Sequence, residues 1–319
     1  MIGVTLSTDV KPVQRYRDLN TYLKTLFGER VQKISLDAGM SCPNRDGTLS
    51  RKGCIYCDAR GAGTGAFIHE NLSIEEQIAR SKKFLTARYG ARKFIAYFQS
   101  FTNTYAAPAR LKALYDEAVA QEDVVGLSVA TRPDCLDTEK LDLLASYGRG
   151  VLVWLELGLQ SSHDQTLTRI NRGHDASCFE KAVRMARLVG LPVCAHVILG
   201  LPGENRQMML HTARYLSGLP VAGVKIHLLY VVKGTPLAAL FEKGRLRCLD
   251  QETYANLVVD FLERLPPRMV IHRLTGDPPK TELLAPLWAK DKTKTLNLIK
   301  SILEKRNTHQ GRLYDGQGG

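Results

Sequence analysis

A chain of 319 residues, 44% of them hydrophobic, can bury a sizeable core, which excludes a disordered polypeptide. No apolar run is long enough to span a bilayer, and the first residues, Met1 to Asp9, lack the charged start and apolar stretch of a secretion signal. Seven cysteines, an odd count, argue against a disulfide framework, and a net charge of +12 admits a polyanionic partner such as RNA. A soluble, cytoplasmic protein with no membrane partner is expected.

The predicted elements alternate. Tyr16, Leu19, Leu23 and Phe27 recur at helical spacing and Gly28 stops the run, giving a helical lead-in over 1–29. Val31–Leu36 follows as a strand and runs into a loop rich in Gly, Asn, Asp and Ser. Ser73 and Glu76 form a capping box that opens a helix to Tyr89. Phe94–Phe98 is then a strand, Pro108–Ala120 a helix, Val124–Val129 a strand, and Asp137 caps a helix to Tyr147. Val151–Leu157, Pro192–Leu199 and Ala222–Tyr230 are strands. The helix capped by Asp175, which ends before Gly190, and the helix Asn205–Leu216 lie between them. Six strands that read as near-continuous apolar runs, most separated by a helix, predict a parallel sheet curled into a partial (β/α)6 TIM-like barrel over residues 30–235. Residues 236–319 are expected as a small C-terminal α/β extension: helices from Pro236 and Asp250, a short strand Val270–Arg273, a helix Thr293–Lys305, and a mobile tail from Thr308. Ten Lys or Arg against five Asp or Glu over 266–319 place part of the charge excess there.

In such barrels chemistry sits at the C-terminal ends of the strands. The loop after the first strand carries Cys42, Cys54 and Cys57 at C-x11-C-x2-C spacing. A structural zinc site takes four closed ligands, and an electron-transfer four-iron cluster also takes four. Three thiolates on a four-iron cluster leave one iron open to a substrate or cofactor. Cys135, Cys178, Cys194 and Cys248 are scattered and read as ordinary thiols. Other strand ends carry polar groups. Gln99 and Ser100 open a run of hydroxyls that can hold a cofactor's amino-acid head or simply form a turn. Arg132, held extended by Pro133, projects rigidly or pairs with Asp134. Glu156, a carboxylate inside an apolar strand, is either functional or one half of a buried ion pair. Gln160 can reach ribose hydroxyls, Arg169 and Arg172 suit a carboxylate or equally a helix surface, and the turn Gly200-Leu-Pro-Gly-Glu204 lets backbone approach a flat ring. His196 and His227, inside strands, are expected as hydrogen-bonded core residues, with His196 able to point inward.

The cysteine motif with Tyr56 before its last member, Thr131-Arg-Pro-Asp134, Gly158-Leu-Gln-Ser161, Asn171-Arg-Gly-His174 and Gly200-Leu-Pro-Gly-Glu204 occur in this order. As a set they resemble the radical S-adenosylmethionine (SAM) superfamily, in its elongator Elp3-type and coproporphyrinogen dehydrogenase-type branch, near the YhcC-like subgroup. The resemblance implies that Cys42, Cys54 and Cys57 ligate a [4Fe–4S] cluster whose open iron chelates the methionyl amine and carboxylate of S-adenosyl-L-methionine. A reductant such as flavodoxin or ferredoxin would then drive formation of a 5′-deoxyadenosyl radical, which abstracts hydrogen from a substrate. It also implies cofactor contacts at Gln99, Ser100, Gln160 and Arg172, and Glu156, from its buried charge, is expected to join them. The chain departs from the common pattern in the eleven residues between the first two cysteines, in Ala130 and in His196. RNA, in particular tRNA, is the expected substrate, from the basic charge and the Elp3-like neighbours, and a small metabolite is the alternative. A non-enzymatic alternative is a zinc-binding adaptor in which His69 completes the three cysteines.

Overall fold

The computed structural model describes residues 14–61 and 72–316. Among the described residues nine strands run in chain order: β1 (Val31–Leu36), β2 (Lys93–Phe98), β3 (Val124–Thr131), β4 (Leu152–Gln160), β5 (Val193–Leu199), β6 (Gly223–Leu228), β7 (Val231–Val232), β8 (Val270–Arg273) and β9 (Leu283–Ala285). Seven of them form one sheet in the order β1-β2-β3-β4-β5-β6-β8. Every pairing in that sheet is parallel. The result is the expected partial barrel with one strand more. Val270–Arg273, assigned from sequence to the C-terminal extension, pairs with β6 and becomes the seventh strand. Its helical crossover, Gln251–Leu262, is long enough to bring the chain back parallel. β7 and β9 form a small antiparallel pair that the sequence reading did not anticipate, being two and three residues long.

The strand faces divide the work. The residues facing the helices, among them Ile34, Leu36, Phe94, Phe98, Leu127, Val129, Val153, Leu155, Leu157, Val197, Val224 and Ile226, belong to one buried cluster with helical residues such as Leu111, Tyr115, Phe179 and Val183. The opposite, interior face has an apolar layer at its base. There the helix Leu19–Phe27, capped by Asp18 and ended by Gly28 at φ 76°, lays Leu23 against Val31 and Ile95. Tyr22 meets Trp154 edge-on at 6.1 Å between ring centroids. Asp18 also bridges to Ile271, so the segment before this helix covers the free edge of β8. Above the base the interior carries Glu156, His196, Lys225 and His227 among apolar neighbours such as Ala130 and Ile198, and that layer leads to the C-terminal ends of the strands.

Residues Thr308 to Tyr314, expected in a mobile tail, are held by specific bonds. Thr308 donates to the Glu263 carboxylate at 2.7 Å. Gln310 donates to the carbonyls of Pro266 and Met269 at 2.7 and 2.8 Å and accepts from the Arg17 amide at 3.0 Å. A glycine-rich composition did not reveal these side-chain anchors. No helix among the described residues is long and apolar enough to cross a membrane.

Candidate active site

The cysteine loop folds as a series of tight turns. The Cys42 carbonyl accepts from the amides of Arg45 and Asp46 at 2.8 and 3.1 Å, and the Gly53 amide returns to the Asn44 carbonyl at 2.7 Å. Gly47 and Gly53 adopt φ of 101° and 68°, values that other residues rarely take. A further turn, Cys57 N to Cys54 O at 3.0 Å, places the paired cysteines together. The loop is clamped from both sides. Asn171, itself left-handed at φ 53°, donates to Gly53 O at 2.6 Å, and Asn44 donates to Asn171 O at 2.6 Å. The Asn-Arg-Gly-His run is thus the second wall of the cysteine loop.

The Cys54 sulfur receives Asn44 Nδ2 at 3.6 Å and Arg172 Nη1 at 3.7 Å. A hydrogen bond from Cys57 and the Arg172 charge hold the Cys54 thiol well below its ordinary value, against burial. Arg172 also donates to Gly158 O at 2.8 Å, while its Nε is buried without a partner. Arg132 pairs with Asp134 through two bonds of 2.9 and 2.7 Å and spends its remaining nitrogen on the Arg172 carbonyl at 2.8 Å. Arg132 is therefore both salt-bridged and a positioning residue for Arg172.

One cavity collects these groups. Cys42, Cys54 and Cys57 line it together with Gln99, Glu156, Gln160, Arg172, His196, Lys225, His227 and Arg273. Gln99 is oriented by Ser35, whose hydroxyl lies 2.8 Å from its Oε1. Gln160 sits past a bulge in β4 at φ 72°, a strained conformation for a side chain other than glycine. Ser100 is fully buried beside the cavity rather than on its wall, and its hydroxyl has no partner. The neighbouring Thr102, Asn103 and Thr104 are buried too, Asn103 donating to Ala130 O at 2.9 Å and Thr104 to Cys135 O at 2.7 Å. The turn Gly200–Glu204 does not reach the cavity; Glu204 bonds Ser161 and Arg169 packs across Gly203.

Glu156 is fully buried at the cavity floor and is the hub of an interior network. Its Oε1 accepts from Ser128 Oγ at 2.6 Å and from Lys33, and its Oε2 accepts from Lys225 and lies 2.7 Å from His196 Nε2. Burial opposes its charge, but Lys225 and Lys33 overcome that and hold the carboxyl well below its usual range. Burial pushes Lys225 down to about 8 and His196 down to about 4. Lys225 also donates to Tyr97 OH at 2.9 Å and lies over the Tyr97 ring. Sequence reading singled out Glu156 but not Lys33, Tyr97, Lys225 or Arg273. Their signal was alternation: Lys33 and Ser35, Tyr97 and Gln99, Lys225 and His227 are each two residues apart, hence on one face.

Residues 47–216 match the profile of the Radical SAM superfamily, and residues 221–305 that of the Radical SAM C-terminal domain. The chain belongs to the radical SAM superfamily. Among its relatives, the YhcC protein of Escherichia coli K12 is 42% identical over 267 residues, 83% of this chain and 85% of that one. The tRNA uridine(34) acetyltransferase of Dehalococcoides mccartyi is 29% identical over 226 residues, 70% of this chain but 47% of its own length. Among solved structures, the archaeal Methanocaldococcus infernus Elp3 superposes with a TM-score of 0.67 at 18% identity, covering 88% of this chain and 64% of that one, a likeness of fold. Membership in the radical SAM superfamily makes the chain an enzyme and overturns the zinc-adaptor alternative. His69 lies outside the described residues. Among the described residues one group of three possible ligand atoms gathers within 4.8 Å. That group, Glu156 with Cys194 and His196, is already occupied by the two lysines on Glu156.

Proposed function

We propose that this radical SAM enzyme holds a [4Fe–4S] cluster on Cys42, Cys54 and Cys57, binds S-adenosyl-L-methionine in the adjoining cavity, and acts on RNA. The observation that carries the cofactor part is the donor set. Three cysteines open onto one cavity, and Cys54 is backed by the amide and guanidinium hydrogen bonds that a cluster thiolate uses to spread its charge. When bound, cluster and cofactor supply a reductively generated carbon radical that removes a hydrogen atom from the substrate. The chain's own residues orient and enclose. Arg172, with an unpartnered Nε, faces the cofactor's carboxylate, while Gln99 and Gln160 offer amides to its amine and ribose. Glu156 acts through others, holding Lys33 and Lys225 in place on the floor. An external one-electron reductant such as flavodoxin or ferredoxin provides the electron. Two observations support RNA: a net charge of +12, and the tRNA-directed name of a relative sharing 29% identity over 70% of this chain.

The test is anaerobic incubation of the reconstituted enzyme with dithionite and S-adenosyl-L-methionine, scoring 5′-deoxyadenosine with and without bulk cellular tRNA. Wild-type enzyme is expected to form it, with a higher yield when tRNA is present, and Cys54→Ala to form none. A yield indifferent to tRNA but raised by a small-molecule extract transfers the substrate to the metabolite class. Formation by Cys54→Ala at the wild-type rate removes the cluster assignment.

A further inference from the structure

Four guanidinium groups line the cavity, those of Arg45, Arg132, Arg172 and Arg273. Arg45 donates to the carbonyls of Cys57 and Asp58, Arg132 to Asp134 and Arg172 O, and Arg172 to Gly158 O. Among the described residues no hydrogen bond or ion pair engages the Arg273 side chain. The acids nearby are committed elsewhere. Glu156 is saturated by Lys33, Lys225, Ser128 and His196. Asp277, at the cavity wall four positions on, pairs with Lys292 at 3.3 Å.

Arg273 does not stand alone. It is the register partner of Lys225 across β6 and β8, so two cations sit side by side on the interior face. His227, two residues beyond Lys225, lines the same wall, and its ring Nε2 is buried without a partner. On this side of the cavity Lys33 and Lys225 are paired with Glu156 and Asp277 is paired with Lys292, which leaves the charge of Arg273 in surplus. A surplus of like charge away from bulk water is costly until an anion enters. The flat, five-donor fork of arginine fits the two oxygens of a carboxylate or phosphate better than it fits anything neutral. The groups already respond to this surplus. Burial and then the Arg273 charge hold His227 well below its ordinary value, so the ring is neutral and keeps one N–H to give.

We propose that Arg273, with Lys225 and His227 beside it, forms an oxyanion seat for the substrate, so that the molecule this enzyme acts on carries a carboxylate or a phosphate docked on the β6–β8 wall. The seat rests on the reading of the cavity as the reaction chamber of a radical SAM enzyme, and it narrows the substrate to an anion. Arg172 serves the cofactor at the cysteine loop and Arg273 the substrate, which separates the two guanidinium groups by task.

The test uses the anaerobically reconstituted holoenzyme with S-adenosyl-L-methionine bound, titrated in a calorimeter with inorganic phosphate and, separately, with acetate at constant ionic strength. One saturable site is expected for at least one anion. Arg273→Gln should weaken it roughly tenfold or more, the scale of a lost charge-assisted hydrogen bond, and Arg273→Lys should weaken it less. Tighter phosphate binding assigns a phosphorylated group, and tighter acetate binding a carboxylate. No saturable site for either anion in the wild type, or equal binding by Arg273→Gln, overturns the proposal. A parallel measurement follows the change that the sulfonium cofactor causes in the electron paramagnetic resonance signal of the reduced cluster. Arg273→Gln should retain that change, and its loss would place Arg273 in the cofactor's own site and sink the seat. Were the wild type itself to show no cluster signal, the enzymatic reading beneath the proposal would fall instead, and the seat with it.

Discussion

Gly158 shows how little room one residue leaves. A Cβ built there would lie 2.6 Å from Arg172 Nη2 and 2.6 Å from Gln160 Nε2. Both atoms end flexible side chains, but Arg172 is fixed to Gly158 O and to the Cys54 sulfur, so it cannot swing away without leaving them. Gly158→Ala should therefore fold and still load iron, yet bind S-adenosyl-L-methionine roughly tenfold more weakly, a near-complete loss of one charged hydrogen bond. Equilibrium binding to the reconstituted protein checks this, and unchanged affinity would mean the guanidinium has slack. The motif Gly158-Leu-Gln-Ser161 was visible in the sequence as a polar strand end. What could not be read was the reason for its glycine, because the guanidinium that needs the space comes from fourteen residues downstream. Arg132 was legible for the same local reason, its proline neighbour, whereas its bond to the Arg172 carbonyl required the fold.

Among elements, the strands illustrate how a true pattern can be hidden by composition. Each was rich enough in Val, Leu and Ile to pass as buried on both faces. Taken at alternate positions, β1, β2 with the residue just past its end, β5 and β6 carry Lys33 and Ser35, Tyr97 and Gln99, His196, then Lys225 and His227 toward the interior. The apolar excess belongs to the helix-facing side and to the barrel base. That base depends on the helix Leu19–Phe27, whose apolar face was evident from its spacing but whose docking place was not. Leu23 is 2% exposed against Val31 and Ile95. Leu23→Ala should cost about 2–5 kcal/mol of stability, as truncations of packed leucines do. Because the helix packs at the opposite end of the strands from Cys42, Cys54 and Cys57, iron content per folded chain should stay at the wild-type level. A thermal denaturation scan beside an iron assay separates the two effects, and a parallel loss of iron would refute the independence of base and mouth.

At the scale of the whole molecule, the polar interior makes stability depend on pH. His196 is held down to about 4, and His227 and His272 lie well below their ordinary value, burial being the leading cause in each. A histidine whose folded pKa is lowered takes up its proton more readily when unfolded, so stability is intact above about pH 6.5 and is lost as the pH falls toward the folded value. Each such group contributes a slope of about 1.4 kcal/mol per pH unit within that window. The depressed carboxyl of Glu156 acts lower, losing its stabilising effect only as the pH drops below the usual carboxylate range. Urea denaturation of the metal-free chain should thus show a midpoint that declines between pH 6.5 and 5, and a constant midpoint would show that these rings are solvated. Sequence alone showed two strand histidines, His196 and His227, and a glutamate inside an apolar strand. It did not show that three imidazoles and two amines share one carboxylate's neighbourhood, since that depends on which strands become adjacent.

The bond between the Arg15 carbonyl and the Gln310 amide, 2.9 Å long, sets the two ends of the described chain side by side near the barrel base. A reporter or capture domain joined beside Arg15 or Gln310 would hang from the floor of the molecule, leaving the mouth of the cavity clear. The same adjacency makes a circularly permuted chain, joined across that bond and reopened in an exposed loop, a practical way to shift where such an attachment hangs.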